Sequence, residues 1–187
     1  MLPKVKVTKD TIITAAMDIV RESGASALNA RALAARLGCS TQPIFSNYTS
    51  MEALRTDVIA QANELYQTFQ QQDMLSGEFP AYKASGMAYI RFAQEERELF
   101  KLLFMRDRSA EDVSGEERTL DGIIEIIQNN TGLTKEEAFL FHLEMWVSVH
   151  GIATMVATAY LEWDRDLTSR MLTDTYEGLK QRYHHKE

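Results

Sequence analysis

The chain contains few of the residues that interrupt helices or cross-link chains. Its 187 residues include three prolines, nine glycines and one cysteine, Cys39. So few prolines and glycines, among many Ala, Leu, Met, Glu and Gln, favour an all-α fold. A single cysteine excludes an intrachain disulfide and is typical of a reducing compartment, so we expect a cytoplasmic protein. A hydrophobic share of 45% is enough for one large domain or two small ones.

A hydrophobic run long enough to span a membrane is also lacking. The most apolar segment, residues 145–161, is shorter than the roughly 20 residues that a membrane span needs, and His150 interrupts it. The basic N-terminus is not followed by an apolar run, so it does not resemble a secretory signal. We therefore expect no membrane partner. We interpret the apolar segment as a helix buried by its own domain on one side and by a partner subunit on the other.

Positive charge is scarce as well, with a net charge of −7, but it is unevenly distributed. Residues 1–60 contain seven Lys or Arg against five acidic residues, whereas the rest of the chain contains thirteen against twenty-two. This asymmetry predicts a small, weakly basic module attached to an acidic body.

Capping residues predict three short helices in the basic module. Thr8 caps the first helix, which Gly24 ends, and Asn29 caps a second helix, Ala30 to Leu37, which Gly38 ends. If Ser40 is the N-cap of a third helix, Pro43 lies in its first turn, where a missing amide costs little. This helix is expected to end near Asn47.

Longer helices are predicted for the rest of the chain. A Thr49 and Glu52 capping box opens a fourth helix, over about 50–72. Apolar periodicity predicts further helices at about 81–105, with a break near Glu96, and at about 116–130, 134–161 and 165–183.

Two short helices joined by a glycine turn match a helix-turn-helix, which places its second helix in the DNA major groove. Such a pair needs a small residue where the helices touch, here Ala34, and a glycine at the turn, here Gly38.

The segment from Thr11 to about Val58 resembles the DNA-binding domain of the TetR family of transcriptional regulators. The resemblance rests on the type and spacing of residues along this segment: Ala15-Ala16 in the first helix, Gly24, Leu28, Arg31, Leu33-Ala34, Leu37-Gly38, Phe45, Tyr48, Ser50, Glu52 and Leu54. The later sequences FAQEERELFKLLF, residues 92–104, and WVSVHG, residues 146–151, resemble the subgroup whose C-terminal domain contains a Trp-x-x-x-His-Gly motif.

This resemblance implies a DNA-binding domain at 1–52, a connecting fourth helix, and a ligand-binding and dimerisation domain at 53–187. It implies a homodimer formed by the two long C-terminal helices, with Gly151, Ala153 and Ala157 allowing close approach. Such a dimer binds a pseudo-palindromic double-stranded DNA operator, and a small, largely apolar effector releases it. The resemblance implies a repressor. Because the sequence contains no H-E-x-x-H, phosphate-loop or Gly-x-Ser-x-Gly motif, we expect no catalytic residues, metal or cofactor.

Residues that face DNA in the resembling family, together with the basic N-terminal arm, are the expected interface. They are Lys4, Lys6, Arg31, Thr41, Gln42, Pro43, Phe45 and Asn47. We expect Gln42 to pair with adenine, Pro43 and Phe45 to touch a thymine methyl, and Arg31 to bind guanine or a phosphate. Phe45 and Met51 replace the tyrosine and lysine usual in the family. We therefore hypothesise that the lysine arm compensates for two lost phosphate contacts.

Aromatic and sulfur-containing side chains of the body are the expected effector site. They are Phe100, Phe104, Met105, Trp146, His150 and Met155. An ordinary core containing a hydrogen-bonded histidine is an equally good interpretation. His142 and His150 are eight residues apart on one helix, too far to share a metal ion without further ligands.

Two alternatives follow from the same residues. The acidic balance, Phe45 and Met51 are also typical of a helical ligand-binding or protein-interaction module without sequence-specific DNA binding. An enzyme that uses His150 as a general base would need a nucleophile or carboxylate partner, which the motif lacks. We therefore expect a protein that is not an enzyme.

Overall fold

The computed structural model describes residues 7–109 and 114–184, with the backbone alone described at 114–119. Every regular element in these ranges is helical, which confirms the predicted all-α class. The helices are α1 (Lys9–Ser23), α2 (Ala30–Leu37), α3 (Gln42–Asn47), α4 (Met51–Ser76), α5 (Ala81–Glu95), α6 (Arg97–Phe104), α7 (Ser114–Thr131), α8 (Lys135–Ala157) and α9 (Arg165–His184). The predicted break near Glu96 is confirmed, because α5 ends at Glu95 and α6 begins at Arg97.

Local hydrogen bonds at both ends of α1 and α2 confirm the predicted caps. The Thr8 hydroxyl accepts from the Thr11 amide, and the Thr8 amide donates to the Thr11 hydroxyl at 2.9 Å. The Asn29 side chain accepts from two amides of the first turn of α2 at 3.0 and 3.1 Å. Gly38, with φ 63° and ψ 33°, ends α2 in a Schellman motif that a residue with a Cβ would strain.

The starts of α3 and α4 both lie one residue later than predicted. The N-cap of α3 is Thr41 rather than Ser40, and no described side chain caps this helix. Pro43 nevertheless lies in the first turn, as predicted. The Thr49 and Glu52 capping box is wrong, because the Ser50 hydroxyl accepts from the Ala53 amide at 3.1 Å. Two adjacent hydroxyl residues compete for this cap, and the second one forms it.

The described residues form two compact units. The first consists of the described part of Met1–Gln67 with Glu96–Arg106, and therefore combines the helix-turn-helix with α6. Within it, α1 packs on α2 and on α6. Its core consists of fully buried side chains from all of these helices and α4, among them Ile12, Val20, Leu33, Ile44, Leu54, Leu99 and Phe100.

The second unit consists of the described part of Thr68–Glu95 with Asp107–Glu187. Here α5 packs along α8 and α9, and α7 packs on α8. One core cluster joins α7, α8 and α9 through Ile124, Ile127, Ala138, Phe141, Met145 and Tyr183. This packing fixes which face of α8 is buried and which is exposed.

The helix predicted over 134–161 begins as expected but ends earlier, at Ala157. Ala159 adopts the left-handed conformation, with φ 54°. Its amide donates to the Val156 carbonyl at 3.0 Å, and the Tyr160 amide donates to the Met155 carbonyl at 2.9 Å. These two bonds are those of a Schellman motif with alanine where glycine is usual, so the sequence contains no signal for this end.

The outer side of α8 is unusually apolar. This helix of 23 residues has a mean hydropathy of 1.3 over its most apolar stretch, of which 33% is buried. Length and composition alone would allow it to cross a membrane. Its exposed side chains include Phe139, Leu140, Leu143, Trp146, Val147 and Met155. An apolar face of this extent is typical of a helix covered by another molecule.

Candidate nucleic-acid interface

The six residues of α3 divide between a buried and an exposed face. Ile44 is fully buried, and Tyr48, which directly follows the helix, is 4% exposed. Phe45 is 48% exposed, and Gln42, three residues earlier on the same face, is also exposed. The helix therefore presents one side-chain amide and one aromatic ring to solvent.

Two further polar side chains of α3 are partly occupied by their own helix. The Ser46 hydroxyl donates to the Gln42 carbonyl at 2.9 Å, and the Asn47 amide donates to the Pro43 carbonyl at 2.8 Å. Such bonds leave Asn47 with its oxygen and one N–H. Sequence reasoning gave Asn47 a DNA-facing role and missed this bond. Ser and Asn side chains inside a helix are known to bond to the backbone carbonyl four residues earlier.

The basic side chains of the first unit lie outside α3. Arg31 is exposed near the start of α2 and forms no ion pair with a described residue. Arg36 is held by Glu22, and Arg55 donates to the Leu28 carbonyl at 3.3 Å. The ammonium of Lys9 lies 5.0 Å from the centre of the Tyr48 ring. Lys4 and Lys6, the predicted arm, lie outside the described residues.

Tyr48 belongs to the core, as expected. Its hydroxyl lies near the Asp57 carboxylate without a hydrogen bond of normal geometry to any described residue. Burial, and then the neighbouring Asp57, raises the pKa of Tyr48 to about 12. The ring therefore stays neutral at physiological pH and supports the C-terminal end of α3 from inside.

Helix α6 braces α1 within the first unit. The Arg21 guanidinium donates to both oxygens of Glu96 at 2.9 and 3.0 Å, and the Glu96 side chain is 17% exposed. A Cβ at Gly24 would lie 3.0 Å from the Glu98 carboxylate, so α6 also approaches the end of α1 closely. Sequence reasoning missed this pair, because 75 residues separate its members and no local pattern links them.

The predicted effector residues fall in both units. Phe100, Phe104 and Met105 belong to the first unit, where Phe100 is fully buried and Phe104 lies 5.2 Å from both the Phe100 and the Tyr66 ring centres. Met105 is 41% exposed. Their role in binding a ligand stays a prediction.

Trp146, His150 and Met155 belong to the second unit. Trp146 stacks on His150 with ring centres 5.6 Å apart, and the buried Tyr89 hydroxyl lies 2.9 Å from His150 Nδ1. Burial lowers the pKa of His150. Sequence reasoning missed Tyr89. A second pair of the same kind lies on the same two helices, where the Tyr82 hydroxyl lies 3.0 Å from His142 Nδ1. The described residues contain no group of three His, Cys, Asp or Glu side chains suited to a metal ion.

Comparison with known proteins complements this geometry. Residues 82–176, just over half of the chain, match the family model of the tetracycline repressor-like C-terminal domain. No curated protein sequence is significantly similar. The Trp-x-x-x-His-Gly subgroup is not distinguished by this match and stays a prediction.

Solved structures of regulators are similar in fold over nearly the whole chain. A TetR-like transcriptional regulator from Rhodococcus sp. RHA1 is 18% identical, with 96% of each chain covered and a TM-score of 0.66. A putative transcriptional regulator from Pseudomonas aeruginosa PAO1 is 12% identical, with 98% of this chain and 97% of that chain covered and a TM-score of 0.70. A TetR variant from Acinetobacter baumannii AYE, in complex with minocycline, is 14% identical, with 96% and 97% covered and a TM-score of 0.55. From the family match, the chain belongs to the TetR family of transcriptional regulators.

Proposed function

We propose that the protein is a cytoplasmic, ligand-responsive transcriptional repressor that binds a pseudo-palindromic operator as a homodimer. The observation that carries this proposal is α3, whose outward face combines Gln42 and Phe45 on a buried helix-turn-helix scaffold. Residues 1–52 would bind DNA, and residues 53–187 would bind the effector and a second protomer. The reaction of the protein with its ligand is binding, without catalysis.

The contacts divide into those that read bases and those that hold the phosphate backbone. Gln42 and Phe45, which are both exposed on one face of α3, would meet base edges. Arg31 and Thr41, with the Lys4 and Lys6 arm, supply groups for the backbone. In a twofold dimer the two half-sites lie about one helical turn apart, roughly 34–36 Å.

The outer face of α8 is the proposed dimer surface. Val147 is 63% exposed, and Leu143 and Leu140 are each nearly half exposed beside it. On α9, Met171 is 40% exposed. Pairing these two helices with those of a second protomer in a four-helix bundle would bury this apolar area.

Glycines on the two helices support close approach of a partner. A Cβ added to Gly151 on α8 or to Gly178 on α9 would meet no described atom within 4 Å. A glycine inside a helix costs about 1 kcal/mol of stability, and packing within one protomer gives no reason for glycine at either of these two positions. Ala153 and Ala157, expected beside Gly151 at the interface, are instead 0% and 2% exposed within the protomer, because α8 buries that side against its own unit.

Release by an effector would be a population shift. A small molecule that binds better when the two α3 helices are wrongly spaced lowers operator affinity by a coupling of about 1–3 kcal/mol. The similar TetR variant from Acinetobacter baumannii binds minocycline, which supports a small-molecule effector here. Within the second unit, the stacked rings of Trp146 and His150 are the proposed contacts.

Selection of bound duplexes from a random pool, at two salt concentrations, tests the DNA-binding part. The wild type should enrich a palindrome whose binding weakens with salt, and Gln42→Ala should lose affinity for it. Asn63→Ala, at an exposed position of α4, is the matched control and should bind like the wild type. Failure of the wild type to enrich any sequence would reject the proposal.

The dimer surface is tested by molar mass in solution. Val147→Glu should dissociate the protein into folded monomers and weaken operator binding. Leu75→Glu introduces the same charge at a side chain that is 86% exposed outside α8, and it should remain dimeric. A Val147→Glu protein that remains dimeric would exclude this face.

One observation favours a second candidate function, a helical interaction module without sequence-specific DNA binding. From Leu37 to Met51 the sequence contains no charged residue, although phosphate binding depends on Lys and Arg. The selection experiment separates the two functions, since this candidate predicts no enriched sequence at either salt concentration.

A further inference from the structure

The chemistry available on the exposed face of α3 is narrower than its sequence suggests. The residues from Leu37 to Met51 include neither Arg nor Lys. Guanine is read in the major groove mainly by the bidentate bonds of those two side chains. Ser46 and Asn47 also donate to carbonyls of their own helix. Gln42 is therefore the one side chain of α3 that is exposed and has its whole amide available.

Gln42 and Phe45 are suited to bases of two neighbouring A·T pairs. A glutamine amide matches the N6 and N7 atoms of adenine, and an apolar ring matches the C5 methyl of thymine. Phe45 is 48% exposed and lies three residues after Gln42, so both side chains project from one face. With α3 in the major groove, they would meet adjacent base pairs. Phenylalanine has no hydroxyl for a phosphate, so its exposed ring has no polar alternative.

We propose that α3 reads an A·T core in each half-site, with Gln42 on adenine and Phe45 selecting thymine by its methyl group. This inference rests on the proposed DNA-binding function and adds its base specificity. Phe45 thereby becomes a specificity determinant rather than a lost backbone contact. Guanine and phosphate contacts fall to Arg31 on α2 and to the N-terminal lysines.

The test uses the full-length protein and the duplex recovered by selection. Each thymine of the half-site core is replaced in turn by uracil, which removes only the methyl group. Burying one methyl is worth about 0.8 kcal/mol, so uracil at the critical position should weaken binding about fourfold in one half-site and about 15-fold in both. The same replacement outside the half-sites is the control and should change nothing.

Phe45→Ala then identifies the residue responsible. Because Phe45 is exposed, this variant should keep the helical content and thermal stability of the wild type. It should bind thymine and uracil duplexes with equal affinity, whereas Gln42→Ala should still prefer thymine. That pattern supports the inference.

Four results would overturn it, and they are distinguishable. A specific operator with G·C at the core rejects the A·T assignment, and one that tolerates uracil at every core position rejects selection by the thymine methyl. Either result leaves the proposed function intact. Equal thymine preference in Phe45→Ala and the wild type rejects the role of Phe45. Failure to enrich any duplex rejects the proposed function, and with it this inference.

Discussion

Replacement of Ala159 by glycine should stabilise the protein, although a glycine usually destabilises a helical protein. Ala159 follows α8 with φ 54°, and its amide and that of Tyr160 donate to Val156 and Met155 in the Schellman motif. Glycine at this position keeps both hydrogen bonds and removes the Cβ that the left-handed conformation crowds against the following carbonyl.

The size of the effect is a difference between two terms. A left-handed conformation costs an L-residue with a Cβ roughly 1–2 kcal/mol relative to glycine. The greater freedom of glycine in the unfolded chain removes about 0.4–1 kcal/mol of that gain. We therefore expect Ala159→Gly to raise the free energy of unfolding by about 0.5–1 kcal/mol. For a chain of this size that corresponds to a rise in Tm of about 1–4 °C.

Thermal and denaturant unfolding at one fixed protein concentration measures this change, since the stability of a dimer depends on concentration. Ala60→Gly is the matched control, because Ala60 is exposed inside α4 and the same substitution should lower the free energy of unfolding there by about 1 kcal/mol. Gly38→Ala places a Cβ in the left-handed conformation at the Schellman motif of α2, so it should also destabilise the protein. A destabilised Ala159→Gly protein would refute the reasoning.

Three further effects are expected. Burial lowers the pKa of His142 and His150, so the unfolded chain binds more protons and the free energy of unfolding falls as pH decreases through about 6.5. Between pH 7.5 and 5.5, denaturation of His142→Gln should show a smaller loss of unfolding free energy than that of the wild type. An identical loss in both proteins would contradict this reasoning. A double-mutant cycle on Arg21→Ala and Glu96→Gln should give a coupling energy of about 0.5–1 kcal/mol, which is modest because the Arg21 side chain is 38% exposed. If the effects of the two substitutions on the free energy of unfolding were additive, the pair would not brace α1. Replacing Lys4 and Lys6 by alanine removes up to four phosphate contacts from a dimer, which should reduce the slope of log affinity against log salt by up to about 3.6; an unchanged slope would rule out compensation by the arm.

The helices of the first unit were predictable because their ends are set by residues adjacent in sequence. Thr8 and Asn29 accept hydrogen bonds from backbone amides within three residues, and Gly38 adopts the left-handed conformation that ends α2. The residue types at those positions are therefore enough to predict the helix ends. The errors arose where sequence offers two equivalent choices or none. Thr49 and Ser50 are both good caps, and only the fold decides between them. Ala159 takes a conformation that its side chain disfavours, so composition gave no warning.

The candidate site was only partly predictable for a similar reason. Exposure of Gln42 and Phe45 follows from the burial of Ile44, which helical periodicity indicates. The hydrogen bonds of Ser46 and Asn47 to their own helix depend on rotamers, which a sequence pattern does not specify. Arg21 with Glu96, and Tyr89 with His150, join residues more than 60 positions apart. Such pairs follow from tertiary packing and have no local signal.

In the proposed function, separation of charge from base recognition would allow an acidic protein to discriminate among DNA sequences. Phosphate contacts supply affinity without sequence information, whereas base contacts supply the discrimination. In this chain the segment from Leu37 to Met51 is uncharged, and the basic residues of the module lie before it or after it. We expect weak binding to arbitrary DNA from the neutral α3 and the net charge of −7, because few cations would be available to contact the backbone. Under the proposed function, specificity would depend on Gln42 and Phe45, and overall affinity on Arg31 and the lysine arm. Substitutions in the first group should then change sequence preference, and substitutions in the second should change salt dependence.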